Sequence, residues 1–257
     1  MIPAKPGSSR DCIMNAPSLR LAFLLVTLSI TPLSAETLPL PDGLVGAATD
    51  EGEALLVGAE AREAYFPLVD QFVTQKNQAY CGVASMVMVL NAAKVPAPPV
   101  PEYEPYHIFT QDNLLDERTD AIVSRETILK QGMTLDELGG ILATRPLAVT
   151  VKHAGDNSLD AFRDAARDHL AKPGQFVIVN YLRKAIRQEV GGHISPLAAY
   201  DADTDRFLIL DVARYKYPPV WVKAADLFAA MNTTDSDNGD RTRGYVLISK
   251  RPESTGQ

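Results

Sequence analysis

The chain has 257 residues, which is enough for one large domain or two small ones, and either could bury a sizeable core. It carries 25 Lys and Arg against 32 Asp and Glu, for a net charge of −7 at pH 7. Acidic proteins of this kind are poor partners for nucleic acids and for anionic membrane surfaces, so both are disfavoured. The sequence shows no internal repeat, low-complexity tract or linker.

The first 35 residues have the pattern of a secretory signal. Three basic residues precede an apolar run over residues 21–33, and Ser34 and Ala35 follow as a small-residue cleavage site. The apolar run is too short to span a bilayer. We therefore predict a signal peptide over residues 1–35, with a retained membrane anchor as the alternative and Met14 as an alternative start.

Removal of this segment takes away three basic residues and one acidic residue, which leaves 22 Lys and Arg, 31 Asp and Glu and a net charge of −9. We expect a secreted, periplasmic protein with one catalytic domain over residues 36–257 and no stable membrane association after signal removal. Of the two cysteines, Cys12 lies in the signal and only Cys81 is left. Cys81 is then either a buried inert side chain or a free thiol kept for its chemistry.

The first half of the sequence favours helices. An extended segment opens it, and a helix is expected within residues 51–74. A second helix over residues 81–94 has apolar side chains at spacings of three and four, and a proline-rich run ends it. A capping box at Thr134 and Glu137 begins another helix. The other expected elements of this half are a loop over 102–123, a strand over 147–151 and a helix over 158–170.

The second half contains β-branched and aromatic runs separated by turn residues. These runs predict strands over residues 175–181, 194–200, 206–212 and 244–249. The chain therefore passes from a helical half into a half dominated by antiparallel sheet. We predict an α+β fold in which the two halves pack as lobes of one unit.

Cys81 opens the helix predicted over residues 81–94. A cysteine in this position faces the positive end of the helix dipole, which favours the thiolate and raises its nucleophilicity. Gln75, six residues upstream, has a carboxamide N–H that could donate to an oxyanion developing beside the sulfur. The stretch is typical of a site for covalent catalysis.

His193 is the histidine best placed to serve as the base for this thiol. It follows two glycines and opens a predicted strand, whereas His153 and His169 are expected to be structural or at the surface. A hairpin centred near residue 203 would bring Asp211 within two residues of register with His193. Asp211 then orients the imidazole or, as the alternative, caps the loop that follows its strand.

Several long motifs resemble the catalytic domain of phytochelatin synthases, in order and with matching gaps. They are residues 74–85 around Cys81, Val89-Leu-Asn91, Gly192-His193-Ile-Ser-Pro196 with Tyr200, residues 209–219 with Trp221, and Arg243-Gly244. The resemblance covers most of the chain between residues 50 and 250. One departure is Tyr80, where the family more usually has phenylalanine.

The resemblance implies a papain-like fold with a helical lobe that carries the cysteine and a sheet lobe that carries the histidine and aspartate. Cys81 matches the nucleophile, His193 matches the base and Asp211 matches the orienting acid. Gln75 matches the oxyanion-hole donor. The family therefore implies the same Cys-His-Asp triad that the residue pattern suggests.

The reaction implied by the family is cleavage of glutathione. The cysteine attacks the Cys–Gly amide, releases glycine and retains a γ-glutamylcysteinyl thioester. This acyl group passes to a second glutathione, giving phytochelatin, or to water, giving γ-glutamylcysteine. In its short, exported form the chain resembles the bacterial members, for which hydrolysis is expected to exceed chain extension.

Three further residues match substrate-binding positions of the family. Arg183 matches a basic position, and Asp235 and Arg243 would hold the amino and carboxylate ends of the γ-glutamyl group. No cofactor is implied, and a lone cysteine with scattered histidines predicts no metal site. Heavy metals would enter as thiolate complexes of the substrate. The implied partners are glutathione and its metal thiolates, with a homodimer as a further expectation.

Two other functions stay open at this point. A general papain-like endopeptidase would need an extended peptide groove. A non-catalytic module that binds glutathione or its metal thiolates would be expected to have a damaged triad, whereas all three triad residues are present.

Overall fold

The computed structural model describes residues 1–3 and 36–251. The signal peptide predicted over residues 1–35 lies outside the described residues apart from the first three, and its cleavage stays a prediction. From Glu36 onward the described chain forms one compact unit of helices and antiparallel strands, which is an α+β fold. Within the described ranges, no helix combines the length and the apolar character that a membrane span requires.

A seven-stranded antiparallel sheet forms the centre of this unit within residues 36–251. Its strands, in chain order, are β1 (Val45–Gly46), β2 (Leu147–His153), β3 (Gln175–Leu182), β4 (Gly192–Asp201), β5 (Arg206–Ile209), β6 (Val220–Lys223) and β7 (Gly244–Lys250). In space they follow the order β1, β6, β5, β4, β3, β7, β2. Nearly every side chain of the central strands β3 and β4 is buried, in keeping with their β-branched and aromatic composition.

Helices pack around the sheet, and several begin with side-chain caps. Over residues 36–251 they are α1 (Asp50–Gly58), α2 (Tyr65–Val69), α3 (Cys81–Ala92), α4 (Glu117–Asp120), α5 (Arg125–Gln131), α6 (Leu135–Ala143), α7 (Leu159–Leu170) and α8 (Ala224–Met231). The Ser158 hydroxyl accepts a backbone N–H at the start of α7. Thr134 and Glu137 form the predicted capping box at the start of α6, so this prediction is confirmed.

Helix α3 is more deeply buried than its sequence pattern predicted. The pattern indicated one apolar face, whereas all ten residues from Cys81 to Leu90 are buried. The helix packs on β4, and the Ser85 hydroxyl lies 2.8 Å from the Cys81 carbonyl and 3.1 Å from the Ile194 carbonyl. This contact fixes the first turn of α3 beside the start of β4.

Strands β4 and β5 form the predicted hairpin. The pairs next to the turn, such as Asp201 with Arg206, centre the hairpin between residues 203 and 204, close to the expected position, and a register shift between Leu197 and Ala199 then pairs Leu197 with Ile209. Beyond the end of β5, the Leu210 N–H still bonds to the backbone of β4 at 3.0 Å. The chain therefore runs alongside β4 up to Asp211, which is how the hairpin positions this carboxylate.

Several predictions about the elements were incomplete. The loop expected over residues 102–123 contains α4, and the strand expected over residues 206–212 ends at Ile209. The single helix expected within residues 51–74 is two helices, because the backbone of Ala61 pairs with Tyr200 of β4 and interrupts the helical hydrogen bonds. Strand β6 and helix α8 were not expected. β6 has only four residues, and an apolar run of that length carries no periodicity that separates a strand from a buried turn.

Candidate active site

Cys81 is the first residue of α3 and borders a small cavity. Its side chain is 8% exposed, and the cavity has a volume of about 130 Å³. Tyr80, the residue that caps α3, makes no side-chain hydrogen bond to the helix start. The partial positive charge of the helix N-terminus is therefore available to the sulfur, as the sequence indicated.

His193 lies on β4 beside this thiol. It lines the thiol cavity together with Cys81, and its Nε2 lies 2.8 Å from Oδ1 of Asp211 and 2.9 Å from Oγ of Ser195. Because Nε2 makes these contacts, Nδ1 is the ring nitrogen left to face the sulfur. The ring of Tyr181 packs edge to face on the imidazole, with centroids 5.7 Å apart. These contacts hold the imidazole in one orientation.

Asp211 is fully buried and contacts a cation and a backbone amide. Its Oδ1 accepts from Nη2 of Arg183 and from the Ala213 N–H, both at 2.9 Å, and its Oδ2 lies 2.8 Å from Nη1 of Arg183. Burial alone would raise the pKa of this carboxyl. The charges and hydrogen bonds of His193 and Arg183 outweigh burial and hold the pKa of Asp211 far below its ordinary value. The acid is therefore ionised wherever the histidine titrates.

The pKa values of the thiol and the imidazole shift in opposite directions. Burial alone would raise the pKa of Cys81, but the hydrogen bond and charge of His193 outweigh it, so the thiol pKa is lowered. Burial and Arg183 would lower the pKa of His193, but the carboxylate of Asp211 and its hydrogen bond raise it above the ordinary value. Both shifts favour the thiolate and the imidazolium, which together are the reactive form of a thiol nucleophile.

These shifts predict that Cys81 is alkylated rapidly at mildly acidic pH. An ordinary cysteine has a pKa of about 8.5 and is under about 1% thiolate at pH 6. Iodoacetamide should react with Cys81 at that pH faster than with an ordinary cysteine, and the midpoint of the rate profile should lie at lower pH, because the thiol pKa is lowered. The measurement is the alkylation rate against pH in a Cys12→Ser background, followed by mass.

The matched control for this experiment is His193→Asn, which removes the cation that lowers the thiol pKa. Its alkylation profile should shift to higher pH. A wild-type profile with a midpoint at or above that of free cysteine would contradict the ion pair.

Arg183 lies behind the acid. Its side chain is 3% exposed, its guanidinium pairs with Asp211, and it lies over the ring of Tyr217 at 5.3 Å from the ring centroid. It is not among the residues that line the thiol cavity. Its pair with Asp211 gives it the contacts of a positioning residue for the acid, and it also lines a second cavity next to His193. The substrate-binding role that the family resemblance implies for Arg183 stays a prediction.

Gln75 is buried, and its carboxamide already has partners. Its Nε2 donates to the Asn77 carbonyl at 2.7 Å and to the Tyr215 hydroxyl at 3.1 Å. The side chain borders a second cavity, which shares His193 with the thiol cavity. To donate to an oxyanion, Gln75 would have to give up one of these two hydrogen bonds, so its oxyanion role stays a prediction. Tyr215 is the easier partner to displace, because it is 50% exposed.

Asp235 and Arg243 come together at the thiol cavity, which they line with Cys81 and His193. Nη2 of Arg243 lies 3.2 Å from Oδ1 of Asp235, and both side chains are largely buried. Nε of Arg243 is buried without a hydrogen-bond partner among the described residues. A carboxylate and a guanidinium with a spare donor can bind a group that carries both an ammonium and a carboxylate. Their assignment to the γ-glutamyl group stays a prediction.

Ser195 is a site residue for which the sequence analysis assigned no role. It is fully buried, and its Oγ lies 2.9 Å from Nε2 of His193 and accepts the Val212 N–H at 3.3 Å. It follows His193 by two residues, so both side chains point to the same face of β4. That spacing was the signal that could have identified it.

The other two histidines of the second half are structural, as expected. Nε2 of His153 lies 3.1 Å from Asp136, and its Nδ1 contacts the Thr242 carbonyl. Nδ1 of His169 lies 3.0 Å from the Ala165 carbonyl in the preceding turn of α7. In the described part of the chain, no group of three or more His, Cys, Asp or Glu side chains is arranged to hold a metal ion.

The chain is similar to several known enzymes. It is 34% identical over 221 residues to glutathione gamma-glutamylcysteinyltransferase 3 of Lotus japonicus. It is 30% identical over 233 residues to glutathione gamma-glutamylcysteinyltransferase 1 of Arabidopsis thaliana and 31% identical over 191 residues to the transferase of that name from Schizosaccharomyces pombe. These alignments cover 85%, 89% and 72% of this chain but only 44%, 46% and 43% of the relatives. The chain therefore spans less than half the length of the relatives.

The sequence profile described as phytochelatin synthase matches residues 35–245. This range contains every residue of the site described above, namely Gln75, Cys81, Arg183, His193, Ser195, Asp211, Asp235 and Arg243. The match covers most of the chain, so the protein belongs to the phytochelatin synthase family.

Proposed function

We propose that the protein cleaves glycine from glutathione and holds the γ-glutamylcysteinyl group as a thioester on Cys81. The observation that carries this proposal is that Cys81 and His193 line one cavity and that His193 lies 2.8 Å from Asp211, in a chain of this family. The relatives are named glutathione gamma-glutamylcysteinyltransferases, which supports glutathione as the donor and acyl transfer as the reaction.

The same geometry supports a papain-like arrangement of the fold. The proposed nucleophile opens a buried helix, α3, which packs on the strand that carries the base. The acid follows the next strand of the hairpin. A helical lobe and a sheet lobe would then meet at the thiol.

Acylation begins with the thiolate of Cys81. The sulfur attacks the carbonyl carbon of the Cys–Gly amide, and the carbonyl oxygen becomes an oxyanion. The imidazolium of His193 gives its proton to the amide nitrogen, the C–N bond breaks and glycine leaves. Asp211 holds the ring in place and balances its charge while it carries the proton.

Two kinds of donor would stabilise the oxyanion in this step. The backbone N–H groups in the first turn of α3 have no partner within the helix, because each helical hydrogen bond runs from an N–H to the carbonyl one turn earlier in the chain. The carboxamide of Gln75 would be the second donor, after it exchanges its bond to Tyr215 for one to the substrate. Loss of one such donor usually lowers kcat by about 10²-fold to 10³-fold.

The γ-glutamyl end of the donor would lie against Asp235 and Arg243. Its ammonium would pair with the carboxylate and its carboxylate with the guanidinium, so both charges of the substrate find opposite charges. In the structure the two side chains pair with each other across 3.2 Å. A cavity of about 130 Å³ suits one short group better than an extended peptide.

We also propose the cellular setting that the sequence suggests. The amino-terminal pattern supports export of the protein, and heavy metals would reach the site as thiolate complexes of glutathione, with no resident cofactor. The thioester would pass mainly to water, with transfer to a second glutathione as a lesser reaction.

The test is to incubate the purified protein with glutathione, with and without cadmium, and to identify the products by mass. We expect glycine together with γ-glutamylcysteine, because water reaches a solvent-connected thioester at high concentration. Transfer to a second glutathione releases glycine without giving free γ-glutamylcysteine. Any excess of glycine over γ-glutamylcysteine should therefore equal the amount transferred into phytochelatin oligomers. A folded protein that binds glutathione without releasing glycine would be a binding module. Comparable cleavage of unrelated peptides would identify an endopeptidase.

A further inference from the structure

A second cavity lies next to the thiol cavity, and His193 and Gly192 line both. The second cavity has a volume of about 530 Å³, and its lining includes Lys216 and Glu189. Cys81 lines only the thiol cavity. The base of the proposed reaction therefore lies where two adjoining cavities meet, and the nucleophile lines one of them.

We infer that the second cavity holds the amine partner of acyl transfer, an α-amino carboxylate, and that Lys216 binds the carboxylate of that partner. This inference rests on the proposed function. It deepens that function by assigning a place and a recognition residue to the acceptor.

The chemistry of the transfer requires that the departing glycine and the incoming acceptor amine use the same site. In acylation, His193 protonates the nitrogen of the departing glycine. Acyl transfer runs the same step in reverse. The incoming amine attacks the thioester carbon and forms a C–N bond, and the C–S bond to Cys81 breaks. The amine proton passes through His193 to the sulfur. Both amines must therefore approach from the side that His193 can reach.

The two amines also share their charged group. Glycine carries a carboxylate on the carbon next to its nitrogen, and so does the γ-glutamyl residue of an acceptor glutathione, whose α-amino group would attack. A single cation placed at a fixed distance from His193 can serve both. Because the acyl group itself would occupy the cavity of Asp235 and Arg243, this cation has to lie elsewhere.

Lys216 fits this requirement better than the other cation of the second cavity. The guanidinium of Arg183 is buried and engaged by Asp211. Nζ of Lys216 lies 2.9 Å from Oε2 of Glu189, and their side chains are 25% and 56% exposed. An ammonium in such a partly exposed pair keeps donors free and exchanges its partner at little cost.

The backbone around Lys216 is held in place, so the side chain has a fixed base. Its N–H bonds to the Ala213 carbonyl at 2.7 Å, and its carbonyl accepts the Leu38 N–H at 2.9 Å. The carboxylate of Glu189 also borders the cavity, and it is the group that an incoming carboxylate would replace on Lys216. The second cavity therefore offers an exchangeable cation for the carboxylate of the amine partner, and His193 at its edge takes up the amine proton.

The test compares two acceptors that differ only in this carboxylate. The full chain is incubated with glutathione and either isotopically labelled glycine or glycinamide. Mass spectrometry then follows labelled glutathione or γ-glutamylcysteinylglycinamide. Lys216→Gln should reduce the use of glycine about tenfold, as expected for one lost charge-assisted hydrogen bond, and leave glycinamide unchanged. Glycine and glycinamide differ in basicity. Each variant is therefore compared with wild type on the same acceptor, so that this difference does not affect the result.

Two further variants make the result specific. Lys216→Arg keeps the charge and should retain the preference for glycine. Lys130→Gln removes a lysine of a similar exposed pair, with Glu126 at 2.7 Å, outside both cavities and should change neither acceptor.

The outcomes separate the inference from the function on which it rests. If wild type releases no glycine from glutathione, the proposed function fails, and the acceptor site fails with it. If wild type releases glycine but Lys216→Gln uses glycine as well as wild type does, the acceptor site alone is wrong. Equal losses with glycine and glycinamide would also overturn it, because they would show a general effect on the site.

Discussion

Replacement of Cys81 by alanine is expected to abolish glycine release from glutathione, with kcat lowered by at least about 10⁴-fold. The reason is that no other group can form the thioester, so both acyl transfer and hydrolysis lose their intermediate. The measurement is glycine release over time, together with mass spectrometry of the intact protein after brief exposure to glutathione. Wild type should show the γ-glutamylcysteinyl adduct, and the variant should not.

The variant is expected to keep its fold, because the thiol is small and alanine suits the start of a helix. Its thermal unfolding midpoint should stay close to that of wild type. Cys12→Ala is the matched control, since it removes the other cysteine of the sequence and should retain activity. Activity in a folded Cys81→Ala protein would overturn the mechanism.

Asp211→Asn is expected to lower kcat by about 10³-fold to 10⁴-fold, the loss typical of removing the charge from the acid of a triad. Asparagine has the shape of aspartate but cannot balance the imidazolium of His193. It also leaves the guanidinium of Arg183 buried without its counter-ion. We therefore expect the free energy of unfolding to fall by about 3–5 kcal/mol, as for other broken buried ion pairs. Glycine release and denaturant unfolding measure the two effects.

The double variant Asp211→Asn with Arg183→Met separates the two effects. It removes both buried charges, so most of the lost stability should return. Catalysis should not return, because the imidazolium still lacks its carboxylate. Recovery of both stability and activity would show that Asp211 serves only to neutralise Arg183.

The positions of the proposed reacting residues were predictable because each belongs to a local pattern. A cysteine before an apolar helical run and a histidine after two glycines are visible in contiguous sequence. The turn between residues 201 and 206 sets the register of the first pairs of the hairpin, and a bulge between Leu197 and Ala199 then shifts it so that Leu197 pairs with Ile209. The contact of His193 with Asp211 is a direct result of this register.

The positions of Arg183 and Gln75 were not predictable in the same way. Arg183 follows β3, and it reaches Asp211 because β3 and β5 lie on either side of β4 in the sheet. Gln75 donates to Tyr215, 140 residues away. Neither spacing corresponds to a helix or strand period, so a pattern along the chain contains no information about these contacts.

The sequence by itself determined the α+β fold, the cysteine at a helix start, the histidine and aspartate of one hairpin, and the family. These features depend on neighbouring residues, whose geometry is set by helix and strand periods and by turns. Only the tertiary structure decided that Arg183 pairs with the acid, that Asp235 and Arg243 join the thiol cavity, and that His193 lies between two cavities. The physical reason is that these contacts depend on the order of strands in the sheet, which places side chains from distant parts of the chain within bonding distance.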